Sequence, residues 1–250
     1  MKSKMLFKIS ALFVVLVFMT ITLVFIAQQR KKIEMSSIII NFDDTYRFVT
    51  QAQIESIIQQ NFGNLNGALL DTINTYRIKQ KIEENPWVHS VAVFKGYNRH
   101  DSLFVSGSLR VVVKHEDPLF RIIENGKSVY VGQNGKELPA SDTYTLNVPV
   151  LTGTFSDSLL QNSMLPFVKY ISADEFLKSL ILQMHVSGNQ ELVLIPRVGN
   201  HKIEFGKVDD FEKKFRNLKA VYEQGFGNDE WEKYKTVSLK YNNQVICSLK

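Results

Sequence analysis

Five histidines, at 89, 100, 115, 185 and 201, one cysteine, Cys247, and scattered carboxylates are the side chains that could carry chemistry in this chain. Two groupings set such residues side by side. His115-Glu116-Asp117 has the composition of a metal or acid–base cluster, and Asp43-Asp44 that of paired catalytic carboxylates. Their settings argue against both readings. The first closes a β-branched run just before Pro118, where a solvated strand end is expected, and the second falls where a strand should turn. No two histidines have the helical spacing of a metal pair, no Gly-x-Ser-x-Gly elbow occurs, and no phosphate loop precedes a Gly-Lys. One cysteine supplies neither an intramolecular disulfide nor the thiolates of a structural zinc site. The expectation is a protein that binds rather than catalyses, with no cofactor, no metal and no small-molecule substrate.

The elements that hold these residues begin with a membrane signal. Residues Ile9 to Ala27 form a run of 19 without a charge, 13 of them Leu, Ile, Phe or Val. As a helix this spans roughly 28 Å, close to a bilayer's hydrocarbon thickness. At roughly −0.4 kcal/mol per large apolar residue, insertion is favoured by about 5 kcal/mol. The length of the run and the lack of small residues near IAQQRKK favour an anchor over a cleaved signal peptide. Lys2, Lys4, Lys8, Arg30, Lys31 and Lys32 flank it, with no acid in the first 32 residues. Removing these six from the 30 basic residues leaves 24 against 25 acidic ones, about −1. The net charge of +5 therefore belongs to the N-terminus, and no nucleic-acid surface is implied. A head of eight residues is too short to fold, so the tail is the working part; the short basic head should stay cytoplasmic and the tail lie outside.

Along the tail, Ser36–Phe42 reads as a buried strand. Thr50 with Gln53 forms a capping box for a helix carrying Ile54, Ile57, Ile58 and Phe62, ending near Asn61 with Gly63 beyond. Asn74 caps a second helix, Thr75 to Glu84, which Pro86 stops; Trp87 should seal the gap between helix and sheet. Two strands follow, Val88–Phe94 and about Leu103–His115, with Gly96-Tyr97-Asn98 as their connection. The order strand, helix, helix, strand, strand makes a complete small core. After Asp117-Pro118 come two strands joined at Asn125-Gly126, a turn at Asn134-Gly135, and a helical stretch, Ser156–Ile171, that Pro166 should kink or break into a pair. Ser172 with Glu175 suggests a further capped turn. Strands are expected near Leu180–Ser187, Glu191–Val198 and His201–Lys207, turning at Gly188-Asn189 and Gly199-Asn200. Asp209 with Glu212 opens a helix whose Phe211, Phe215, Leu218 and Tyr222 share a face, with Lys213, Lys214, Arg216 and Lys219 facing away. The last segment, Gln244 to Leu249, reads as a terminal edge strand whose unpaired backbone groups could accept a partner strand.

In order and spacing these stretches resemble the bacterial cell division family FtsQ, called DivIB in Gram-positive bacteria. The resemblance rests on Asn85-Pro86-Trp87-Val88 followed by VAVFK, on LRVVVKHEDPLFRI, VYVGQNGKEL and VPVLTG, and on ELVLIPRVGNHKIEFG, FEKKFRNLKAVY and SLKYNNQVI. Asn41-Phe-Asp-Asp, Gly96-Tyr97-Asn98 and His115-Glu-Asp depart from the family pattern, which bears on local turns. The resemblance implies an α+β chain with a short head (1–8), a transmembrane helix (9–27), a juxtamembrane linker (28–35), a POTRA-like β-α-α-β-β domain (36–116) and a mixed β-rich domain with a C-terminal edge strand (117–250). It further implies a scaffold of the inner (cytoplasmic) membrane at the division septum, binding FtsB- and FtsL-type single-pass proteins and other divisome components. In the family FtsB docks by adding a strand to the end of the β domain; here that region is Tyr241, Gln244, Val245, Ile246 and Ser248. The alternative is a POTRA-bearing envelope protein-assembly or secretion factor.

Overall fold

The computed structural model describes residues 2–30, 33–99, 105–141, 143–226, 230–241 and 244–250. Residues Lys2–Arg30 form one helix, α1, in which the Thr20 and Thr22 hydroxyls donate to the carbonyls of Val17 (2.8 Å) and Phe18 (2.6 Å). Over the side chains that are described on it, 12–25 and Gln28, no helix is long and apolar enough to cross a membrane. The expected span, 9–27, extends beyond these side chains at both ends.

The chain divides into two compact units, Met1–His115 and Glu116–Lys250. In the first, β1 (Met35–Phe42), α2 (Gln51–Phe62), α3 (Thr75–Glu83), β2 (Val88–Arg99) and β3 (Val105–His115) follow the expected order. The sheet runs β1-β3-β2, with β1 parallel and β2 antiparallel to β3. Both helix starts are capped as the sequence requires: Thr50 and Gln53 exchange capping-box bonds, and Asn74 accepts from the Arg77 N–H. Ile54, Ile58, Ile78 and Ile82 bury their side chains with Leu109, Val111 and Val113. Trp87 is buried and stacks on Phe48 with ring centroids 3.4 Å apart.

Two local readings are corrected. Gly96-Tyr97-Asn98 is no turn: β2 continues through it to Arg99, in register with Val105–Ser108. A Cβ at Gly96 would lie 2.7 Å from the Ser108 Oγ, so a larger residue there would have to displace that hydroxyl. Residues 100–104, with His100 and the expected start of β3, lie outside the described residues. Nor is His115 a solvated strand end. It is 2% exposed, and its Nδ1 lies 2.7 Å from Asp44 Oδ1, while its backbone N–H donates to Asp44 Oδ2 at 2.8 Å. With the Nδ1 proton given to the carboxylate, Nε2 accepts the Val49 N–H at 3.3 Å. Phe42 stacks on the ring, so His115 and Asp44, one member of each grouping singled out for chemistry, form a structural clasp.

The second unit holds β4 (Pro118–Glu124), β5 (Lys127–Gly132), β6 (Glu137–Pro139), β7 (Val150–Gly153), β8 (Ile181–Val186), β9 (Leu192–Pro196), β10 (Lys202–Gly206), β11 (Tyr234–Ser238) and β12 (Ile246–Leu249). They form one sheet in the order β12-β11-β10-β9-β8-β7-β4-β5-β6. Asn125-Gly126 makes the predicted hairpin, both residues having positive φ. The stretch before Pro166 breaks as expected. After a short α4 (Asp157–Leu159), Leu160–Met164 widens into a π turn, and α5 (Leu165–Ala173) carries Pro166 in its first turn. Pro166 has no N–H to give to residue 162. The next helix, α6 (Glu175–Leu180), is capped by Asp174 and not by Ser172, which instead returns its hydroxyl to the Lys169 carbonyl.

The helix α7 (Phe211–Ala220) starts at Asp210, which has a left-handed backbone and no side-chain cap. Asp209 is instead paired to Lys214 at 2.6 Å, and that ammonium also reaches the Lys207 carbonyl and the Phe205 ring. Lys214 therefore folds back onto the sheet instead of facing away. Phe167, Phe205 and Phe215 meet in the core at centroid distances of 5.0 to 5.2 Å.

Two substitutions check this account. His115→Ala strands the Val49 N–H and takes the ring donor from the Asp44 carboxylate, which keeps the backbone N–H groups of Tyr46 and residue 115, and should cost about 2 kcal/mol. A thermal melt should show the first unit's transition falling by roughly 10 °C or more; an unchanged melt would remove the clasp from the account. Gly153 has φ +105°, and a Cβ there would lie 2.0 Å from the Val186 carbonyl oxygen across the parallel pair. Gly153→Ala should therefore cost more than about 2 kcal/mol, lowering the second unit's transition while the first unit's stays in place.

Candidate partner-binding edge

The strands β10 and β11 pair in parallel, a geometry that needs a crossover, and α7 lies in the connection between them. The next strand, β12, pairs antiparallel with β11 and ends the sheet. At the opposite end β6 has three residues and closes on Pro139, which has no N–H to offer a ladder. The two ends of the sheet are therefore unequal as templates.

Which backbone groups of β12 are open follows from its neighbours. Leu239 donates its N–H to the Glu204 carbonyl at 2.9 Å, so residue 239 turns toward β10. Residues 238 and 236 then turn toward β12, where they stand opposite Ile246 and Ser248. The Lys250 N–H donates to the Lys233 carbonyl at 3.1 Å and keeps the same parity. Ile246, Ser248 and Lys250 thus spend their backbone groups on β11. Cys247 and Leu249 point theirs outward.

Side chains alternate the other way. Val245 and Cys247 are half-buried against the core of the unit, whereas Ile246 and Ser248 are exposed and Leu249 is 66% exposed. The Cys247 thiol is pushed up from its usual pKa by burial. Beneath it, Tyr222 is close enough to feel the thiolate's charge; burial first, then that charge, raises its phenol. Tyr222 meets His201 Nε2 at 2.5 Å, and burial holds the His201 pKa below its ordinary value. The floor under this edge is partly shielded from solvent. Around it the charges are paired: Lys240 with Glu191 at 2.7 Å, which holds that carboxyl down and that ammonium up, and Lys250 with Glu232 at 3.5 Å.

Tyr241 is 54% exposed in the bend before β12, next to residues 242–243, which lie outside the described residues. Gln244 is exposed, and Val245 leads into the strand. Of the five residues named from the sequence, Ile246 and Ser248 lie in β12 and Tyr241, Gln244 and Val245 precede it, while the outward backbone groups belong to Cys247 and Leu249. Sequence alone could not choose between them, because strand parity is set by the register with β11. The exposed Leu249, an apolar residue after Ser248, was the available hint. Among the described residues no group of three or more His, Cys, Asp or Glu stands together as metal ligands would.

A POTRA-like unit followed by a mixed sheet with one open end is the architecture of an interaction module. Comparison with protein families agrees. Residues 34–106 match a POTRA-like domain, and residues 117–248, just over half the chain, match the family described as FtsQ/DivIB, C-terminal related. The chain belongs to this FtsQ/DivIB family, whose domains are non-enzymatic scaffold types, and it is a division-related protein. No curated protein matches it significantly.

The inward side of the edge can be read chemically. Cys247 should react with iodoacetamide more slowly than free cysteine at neutral pH, and the deficit should narrow as pH rises and the thiolate forms. A rate equal to that of free cysteine would place the thiol on the outer face.

Proposed function

We propose that this chain is a membrane-anchored division scaffold whose β12 edge captures an FtsB-type protein by strand addition. Through that complex, with its FtsL-type companion, it links divisome assembly to septal peptidoglycan synthesis. The observation that carries the reading is the unequal sheet: the open end presents Cys247 and Leu249, and the other closes on a proline. Backbone bonds supply affinity here, while Ile246, Ser248 and Tyr241 offer side-chain contacts beside them. Anchorage by α1 is supported by the uncharged run 9–27 between basic flanks. In this reading the head is cytoplasmic, the two folded units lie outside the inner membrane, and the protein gathers at the septum.

Proline scanning of β12 in the full chain tests strand addition. Leu249→Pro removes an outward N–H and leaves the ladder to β11 intact, so affinity for the FtsB-type partner of the same cell should fall about tenfold, roughly 1.4 kcal/mol. Leu249→Ala, which keeps the N–H, should bind more tightly than Leu249→Pro. Equal binding by the wild-type chain and Leu249→Pro would sink the edge mechanism. A fluorescent fusion separates the alternative: midcell enrichment supports division, and a uniform envelope signal supports an assembly factor.

A further inference from the structure

One buried polar side chain of the second unit leaves part of its hydrogen-bonding capacity unspent. His201 stands in the turn between β9 and β10 and is 2% exposed. Its Nε2 meets the Tyr222 hydroxyl at 2.5 Å, while Nδ1 is buried and has no hydrogen-bond partner among the described residues. Gly199, with φ +75°, lets the backbone pass close over that nitrogen. A Cβ there would lie 2.8 Å from Nδ1 and 2.8 Å from Trp231 Cδ1. The charges that reach the ring come from two other elements. Glu232, in the short helix Glu230–Lys233, attracts a proton to it, and Lys250, just past β12, repels one. These two are themselves paired at 3.5 Å.

A neutral imidazole suits this setting, with Nε2–H donated to the Tyr222 oxygen and Nδ1 left bare. An imidazolium does not, because it carries N–H groups on both nitrogens and the second finds no acceptor. Burial holds the His201 pKa below its ordinary value; Glu232 works against that and Lys250 with it. The unfolded chain therefore binds a proton that the folded chain refuses. Stability is fully present above about pH 6.5 and is lost as pH falls below it. The Tyr222 phenol and, beyond it, the Cys247 thiol are both raised by burial and stay neutral through this range. Ring packing carries the loss to the edge. Tyr222 meets Phe226 at 5.2 Å and Trp231 at 6.4 Å, and Phe226 meets Tyr234 at 5.1 Å. Tyr234 begins β11 and stands opposite Leu249 of β12.

We propose that His201 is a proton-sensitive latch under the β12 edge. The neutral ring ties the β9–β10 turn to Tyr222 and so steadies β11 and β12; taking up a proton opens that corner and loosens the edge strand. Lys250, by repelling the proton, makes the closed corner less tolerant of acid, and Glu232 makes it more so. Acidification then releases a strand-paired partner with no change at the partner's own contacts. That consequence rests on the strand-addition reading. The latch does not, because it acts on β12 whether or not anything pairs with it.

The full chain in detergent tests this with no partner present. Between pH 7.5 and pH 5.0 the second unit's thermal transition should fall further in the wild-type chain than in His201→Gln, by about 3 °C or more. Gln keeps an amide for Tyr222 and cannot titrate, and the other histidines, common to both chains, cancel in the difference. Hydrogen exchange reads the edge itself. The ratio of wild-type to His201→Gln exchange rates at the Ser248 and Lys250 amides should rise roughly threefold or more from pH 7.5 to pH 5.0. Should His201→Gln not fold, two changes at half-exposed side chains answer the same question: Lys250→Gln should shrink the wild-type acid loss, and Glu232→Gln should enlarge it. An equal acid loss in wild type and His201→Gln, a loss that leaves the β12 amides unmoved, or the same response to both charge changes overturns the proposal.

Discussion

A β-sheet that does not close on itself leaves one row of backbone donors and acceptors unpaired at each end, and the second unit of this protein is organised around that constraint. Its nine strands form one continuous ladder from β12 to β6. Each strand between the ends has a paired neighbour on both sides. The last strand at one end is short and closes on Pro139; at the other, β12 keeps open groups at Cys247 and Leu249. Function in such a molecule needs no reactive side chain. In the function proposed above, the unmade hydrogen bonds of the backbone are the site, and the core holds them at a fixed place and parity.

That rigidity comes from packing that is continuous under the edge. Val245 and Cys247 rest on the same apolar cluster as Phe205, Phe215 and Leu218, and α7 lies in the crossover that makes β10 and β11 parallel. Lys214 reinforces the crossover by spanning from the helix to Asp209 and the Lys207 carbonyl. The burial that lifts the Cys247 and Tyr222 pKa values is the electrostatic trace of this support. A strand pinned on one side by bonds to β11 and below by apolar contact loses little freedom when a partner pairs with its outer side, which favours binding by preorganisation.

The first unit shows the opposite use of polar residues. His115 and Asp44 have the composition of a catalytic pair, yet their bonds all go to local structure: a strand end, a turn and the Val49 backbone. Reading them as a solvated strand end and a plain turn missed the connection because 71 residues separate them in sequence. Proximity of that kind appears only when β1 lies against β3 in register. Gly96 failed for a related reason. A glycine in a β-branched run signals either a turn or a close approach, and only the partner strand, bringing Ser108 opposite, decides which.

Local signals, by contrast, were legible. The uncharged run 9–27, the caps at Thr50 and Asn74, the stop at Pro86, the hairpin at Asn125-Gly126 and the break before Pro166 are all settled within a few residues of chain. By itself the sequence determined the element order of the first unit, the position of the charge and a terminal strand at the β domain's end, because each depends on neighbours less than a turn or a hairpin away. The tertiary structure alone decided that β12 ends the sheet, that β4, β7 and β8 pair in parallel, and that Cys247 and Leu249 carry the outward bonds. The physical reason is parity: a strand's hydrogen bonds alternate in direction, and which residues face out is set only when a distant strand fixes the register.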